Sequence, residues 1–536
     1  MIRTRAAAAA ATVIAALVAA PLVAVLASLA EPRAAVWAHL WRTQLAELVL
    51  NTLALLAGVG AGTLLLGTAL AWLVVHFTFP GRRVFDWALM LPLAVPAYVI
   101  GFTVVGLLEY AGPVQSALRA AFGPDAALPD PRSRGGVVLV MTLVFYPYVY
   151  LLARTAFREQ GAAMLETARA LGRTRGRAFL TVTLPMARPS LVAGAALAMM
   201  EALADFGTVA TFGYRTLTEA IYRVWHGMFD RIAATQLACL LLLFALALLA
   251  LERSLRGRAR FEQSGRRGPG VVPQPLGGWR AAAATVACST VLAAAFVVPV
   301  GQLGLWAAGV VRTTGLGWFI PLATHSLLLA GAAALLAGVL AVVLAYAGRL
   351  ADAPVVRGAA QFASLGYALP GAVVAVGVLM PVAFVDHGLV RTLEAVTGRP
   401  LGLVLTGSAA ALLFAYVVRF LAVAYHTVDA GLARIPRSFD DAARSLGAGL
   451  SGLLGRVHLP LLRGGLLTAL VLVFVETMKE MPATLLLRPF GLDTLAVGIW
   501  QRTAESLWAE AAVPALALVA AGLGPVFVAL RLTARR

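Results

Sequence analysis

Along the chain, apolar residues come in runs of about twenty, and between them lie short segments rich in arginine, glycine and proline. Such runs are too long and too uniformly apolar for half-buried strands or for the one-sided helices of a water-soluble core. A bilayer interior of about 30 Å requires roughly 20 apolar residues per helix, and a chain inside lipid must satisfy its own backbone. The pattern predicts an all-α integral membrane protein with twelve spanning helices. They lie near 6–30, 49–78, 87–109, 136–157, 188–212, 233–252, 281–303, 325–347, 362–385, 401–425, 464–487 and 509–530. The first run follows Arg3 and Arg5 but exceeds the 7–15 apolar residues of a cleaved signal, so it reads as a retained anchor.

Composition agrees with that picture. Of 536 residues, 61% are hydrophobic and 13% charged. A soluble domain carries about 25% charged residues, and disorder requires low hydrophobicity, so both classes are excluded. Basic residues gather in alternate connecting segments: Arg82 and Arg83, seven from Arg154 to Arg188, seven from Arg253 to Arg280, and six from Arg419 to Arg463. By the positive-inside rule these segments face the cytoplasm, as do both termini. The net charge of +18 is then a topology signal, and no nucleic-acid partner is expected.

Lys479 is the only lysine, and it lies between Met478 and Glu480. A Walker A loop needs Gly-Lys-Ser/Thr, so the chain is not expected to bind ATP in that way. Cys239 and Cys288 sit in apolar runs and the seven histidines are scattered, which predicts neither a stable metal site nor a resident cofactor. No nucleophile–base constellation suggests an enzyme.

The chain repeats itself. ETARALG at 166–172 corresponds to DAARSLG at 441–447, and Leu184-Pro185 and Leu459-Pro460 follow at equal distance. Glu201, Asp205 and Trp225 correspond to Glu476, Glu480 and Trp500. Repeats of this kind fix the architecture. Six spans per copy is an even number, so the two copies share one orientation across the membrane. The expected domains are a first repeat over 1–252, an Arg/Gly/Pro-rich cytoplasmic linker over 253–280, and a second repeat over 281–536.

The paired segments predict short, exposed helices between the fourth and fifth spans of each copy, ended by Gly172 and Gly447. With their acidic-Ala-Ala start, glycine and later Leu-Pro, they resemble the EAA loop of the membrane subunits of binding-protein-dependent ABC importers. The resemblance implies the type I permease fold and coupling helices that dock into two separate ATP-binding cassette subunits, which hold ATP-Mg. The residues carried over are Glu166, Ala168 and Gly172, then Asp441, Ala442, Ala443 and Gly447. Thr167 and Asp441 depart mildly from the pattern.

Ionisable residues inside spans are costly and mark candidate pathways. Glu201 and Asp205 share a helix face at i, i+4, as do Glu476 and Glu480, with Lys479 beside them. Four carboxylates against one ammonium suit a hard cation bound weakly, although local pairing such as Glu476 with Lys479 would explain the same residues structurally. The surrounding sequences, EALADFGTVATFG from 201 and ETMKEMPATLLLRPFG from 476, resemble ferric-iron permeases, as does the fused twelve-span plan. That resemblance implies import of Fe(III) from a periplasmic iron-binding protein across the bacterial inner membrane. Residues alone leave open a thiamine or polyamine permease of the same class, or an ion-coupled secondary transporter. Tyr214, Trp225 and Trp500 are expected to be interfacial anchors.

Overall fold

The computed structural model describes residues 2–31, 33–160, 170–256, 273–351, 353–363, 366, 369–400 and 402–534. Eleven of its helices are long and apolar enough to cross a membrane, and a shorter apolar helix covers Trp508–Gly524. The helices used below are α1 (Ile2–Ala27), α2 (Leu45–His76), α3 (Arg82–Ala88), α4 (Ala97–Leu108), α5 (Arg134–Glu159), α6 (Leu184–Ala204), α7 (Gly207–Thr211), α8 (Leu217–Gly227) and α9 (Arg231–Arg256). They continue with α10 (Gly278–Thr314), α11 (Phe319–Leu350), α12 (Pro354–Ala363), α13 (Gly371–Thr397), α14 (Ala409–Ala433) and α15 (Arg437–Ser445). The last are α16 (Leu459–Lys479), α17 (Pro482–Leu487), α18 (Leu495–Ala504) and α19 (Trp508–Ala534).

Proline sets several boundaries that hydropathy places differently. The third span, expected from 87, begins at Ala97. Leu91–Ala94 forms a 3-10 turn and Pro96 immediately precedes the helix, where its fixed φ and missing N–H are tolerated. Pro370 plays the same part before α13, which starts at Gly371 and not near 362.

The repeat is written into the backbone. Helices α2 and α11 each have 32 residues, and α6 and α16 each have 21. Both of the latter follow a π-turn, at Phe179–Thr183 and Leu453–His458, and both carry proline in the first turn. Equal lengths and equal breaks at matched positions are what a duplicated sequence should produce.

The chain forms two compact units that do not coincide with the sequence repeats. One contains Met1–His39, Ala220–Leu242 and Leu316–Ile499; the other contains Leu40–Glu219, Leu243–Gly315 and Trp500–Arg536. In the first unit, α1 packs on α11, α12 and α13. In the second, α10 packs on α4 and α19. The opening span of each repeat therefore joins helices of the other repeat. The second unit's core is built where α2, α5 and α6 meet, around the fully buried Tyr146 and Tyr150. Tyr146 donates to the Leu89 carbonyl at 2.8 Å and Tyr150 to the Asp86 carbonyl at 3.0 Å, so neither phenol is left unpaired in the core. Cys239 and Cys288 are both buried and not joined in a disulfide.

Candidate coupling and translocation sites

The segment 441–447 forms most of α15 and its cap. Gly447 has φ +80°, its N–H donates to the Arg444 carbonyl at 2.9 Å, and the Ala448 N–H reaches the Ala443 carbonyl at 2.9 Å. This is a Schellman cap, which requires a left-handed residue just past the helix. Asp441 and Ala442 are exposed, Ala443 is half-buried and Asp440 is buried, so the acid of the motif looks outward while its neighbour looks in. Glu166 and Ala168 of the first copy lie outside the described residues. Gly172 is described, and it too has φ +80°. Immediately before each glycine stands an exposed leucine: Leu171 is 78% exposed and Leu446 89%. Sequence reasoning passed over these two, although a leucine preceding the glycine in both copies was visible.

The candidate pathway residues lie at the C-terminal ends of α6 and α16. Both helices stop on the same device. Asp205 and Glu480 are in extended conformation, and a short helix, α7 or α17, follows each. The Asp205 carboxylate accepts from the Thr208 N–H at 2.7 Å, and the Glu480 carboxylate from the Ala483 N–H at 2.9 Å. Each acid thus satisfies an amide that the broken helix would otherwise orphan.

The second copy holds two ion pairs. Glu480 is 4% exposed and ion-paired with Arg419 from the middle of α14. Arg419, expected with the basic residues of a connecting segment, is therefore a span residue; its counterpart in α5 is Val144. Gly371 makes room for the pair, since a Cβ there would collide with the Arg419 guanidinium and the Glu480 carboxylate. Glu476 lies 3.5 Å from Lys479. Both acids of the second copy thus have a cation. Asp205 has no salt bridge among the described residues, and both it and Glu201 are half-buried. Asp205 and Glu480 belong to different compact units.

The aromatic residues expected at the membrane interface do other work. Tyr214 is buried and donates to the Asn51 carbonyl at 3.2 Å, and Trp225 is buried beside Arg231. Trp500 packs on Phe206 with ring centroids 4.9 Å apart.

Residues 63–260 match the family described as binding-protein-dependent transport system inner membrane component, and residues 337–535 match it again. The chain belongs to this family. It is an ABC importer permease with two fused membrane domains, a transport protein and not an enzyme, and the hydrolysis of ATP falls to separate subunits. Over 496 residues it is 26% identical to Fe(3+)-transport system permease protein FbpB 2 of Haemophilus influenzae, covering 91% of this chain and 90% of that relative. Molybdenum transport system permease protein ModB of Escherichia coli is 30% identical over 232 residues, which is 42% of this chain and 97% of the relative. Sulfate transport system permease protein CysT of Escherichia coli is 30% identical over 200 residues, 36% of this chain and 69% of the relative. The molybdenum permease, covered over nearly its whole length by 42% of this chain, is the size of one repeat; the ferric permease is similar from end to end.

Proposed function

We propose that this permease carries ferric iron, delivered by a periplasmic iron-binding protein, into the cytoplasm of a bacterium, with both chain termini on the cytoplasmic side. The observation that carries the reading is similarity to a ferric permease over nine-tenths of both chains, fused repeats included. The oxyanion permeases share less than half of this chain.

Two ATP-binding cassette subunits engage the matched segments, through Glu166, Ala168 and Gly172 in one copy and Asp441, Ala442, Ala443 and Gly447 in the other. Leu171 and Leu446 are the apolar contacts of that docking. Closure of the ATPases on ATP moves these segments and shifts the spans between inward- and outward-open arrangements, which requires that the two arrangements differ in their affinity for the partners.

Glu201, Asp205, Glu476, Lys479 and Glu480 line the route of the ion. In the second copy, Lys479 and Arg419 offset Glu476 and Glu480. Oxygen ligands suit a hard trivalent ion, and partial compensation keeps it from being trapped.

Proteoliposomes holding the permease and its ATPase subunits test the cargo. Iron-loaded carrier outside and ATP inside should give iron accumulation, while molybdate and sulfate with their carriers should give none. Accumulation of either oxyanion in place of iron would replace this reading, and Arg419 and Lys479 would then be the residues that attract the cargo.

A further inference from the structure

Asp440 and the guanidinium it holds tie the docking helix to three spans. Asp440, in the first turn of α15, is 6% exposed, although Phe439 and Asp441 on either side are exposed. Arg349, in the last turn of α11, grips it with Nε at 2.8 Å and Nη2 at 2.7 Å. The same guanidinium donates to the carbonyls of Leu432 and Ile435 at 2.9 and 3.1 Å, where α14 ends. His458, fully buried at the residue that precedes α16, places Nε2 2.9 Å from the same carboxylate. Tyr346, one turn before Arg349, lays its ring 5.5 Å from the His458 ring and closes the cluster.

A bidentate guanidinium–carboxylate fork fixes direction as well as distance, and a buried one is not replaced by water. Tilting α15 must therefore drag the ends of α11, α14 and α16 with it.

The first repeat differs at these positions. The residues corresponding to Asp440, Arg349 and His458 are Leu165, Val75 and Thr183, none of them ionisable. It holds a different inner contact: Asp86 of α3 receives Arg154 at 2.6 Å and Arg158 at 2.7 Å from the end of α5. The second-repeat counterparts of these three are Gln361, Asp429 and Ala433.

We infer that Asp440 is a positioning residue that transmits ATPase movement from α15 to the spans of the second repeat, through ionisable groups that the first repeat does not carry at the corresponding positions, so that the two ATPase engagements are not equivalent. The inference rests on the proposed reading of α15 as a docking helix.

The test is made on the full permease reconstituted with its ATPase subunits and loaded carrier. Asp440→Asn should go on hydrolysing ATP while the ATP used per ion accumulated rises at least about fivefold, the lower end of an ordinary coupling energy. Asp440→Glu should recover much of the loss. An unchanged ratio, whether the rates hold or fall together, would overturn the inference. A second measurement covers a variant that does not assemble, and also a wild type that proves not to carry iron. Spin labels at Arg437→Cys and Gly348→Cys should keep their separation within about 2 Å when ATP binds, the scale of small helix shifts. A larger change would show α15 moving independently of α11 and would also overturn it.

Discussion

Glu480, at the break after α16, is ion-paired with Arg419 of α14, and the pair leaves no room for a side chain at Gly371. Two charges are thereby buried together within the spans. The pairing gives the Glu480 position of the second copy a counter-charge, while at the matched position in the first copy Asp205 accepts from the Thr208 N–H.

Removing one partner should cost more than removing both. Arg419→Met leaves a buried carboxylate with no counter-charge and should destabilise the detergent-solubilised protein by about 3–5 kcal/mol. The double variant Arg419→Met, Glu480→Met should recover most of that. A thermal-unfolding double-mutant cycle reads the difference, and simple additivity would refute the pairing as described.

Capping and charge at Asp205 can be separated, because asparagine caps as well as aspartate does. Asp205→Ala should lose about 1 kcal/mol of stability, whereas Asp205→Asn should lose almost none. Both should lose iron uptake while retaining assembly and basal ATP hydrolysis. Uptake at the wild-type level in Asp205→Asn would remove this residue from the route.

What could be read from the chain, and what could not, follows from physical scale. Long apolar runs and the matched ETARALG and DAARSLG segments are signals of many residues; the runs survive in the spanning helices, and the match survives in the shared φ of Gly172 and Gly447. The breaks at Asp205 and Glu480 are single-residue events inside apolar surroundings, so hydropathy runs straight across them. Arg419 was hidden for a related reason: one arginine near the end of an apolar run reads as the start of a loop. Asp440 and Asp441 are adjacent acids, and only the phase of α15, set by its packing, decides which of them is buried. The exchange of α1 and α10 between units leaves no local trace, because an apolar helix carries no label for the partner it will meet.

The left-handed cap of α15 should tolerate little besides glycine. Gly447→Val should cost roughly 1–2 kcal/mol locally, with Gly447→Asn less severe. Retention of the ATPase subunits during purification should fall in that order. Equal retention across the series would argue against a cap that shapes the docking surface.

Acid should weaken the Asp440 cluster over a defined range. Arg349 donating to its carboxylate holds Asp440 at about 2, against an ordinary 3.8, despite burial, and His458 adds to the effect. A depressed carboxylate contributes stability in full above the ordinary value and loses it as pH falls through the lower one. The contribution is on the order of 2 kcal/mol. Wild type should therefore melt higher than Asp440→Asn at about pH 5, and the gap should close towards about pH 2. A gap independent of pH would mean that the carboxylate is not ionised in this cluster.

The central claim is that two like-oriented repeats are each gripped from one side by an ATPase. A photo-crosslinking residue at Leu446, and separately at Leu171, examines it most directly in membranes containing the permease and its ATPase subunits. Each position should cross-link to an ATPase subunit and be reachable by polar reagents from the cytoplasmic side only. Labelling of the two positions from opposite faces of the membrane, or capture of no ATPase at either, would contradict the account.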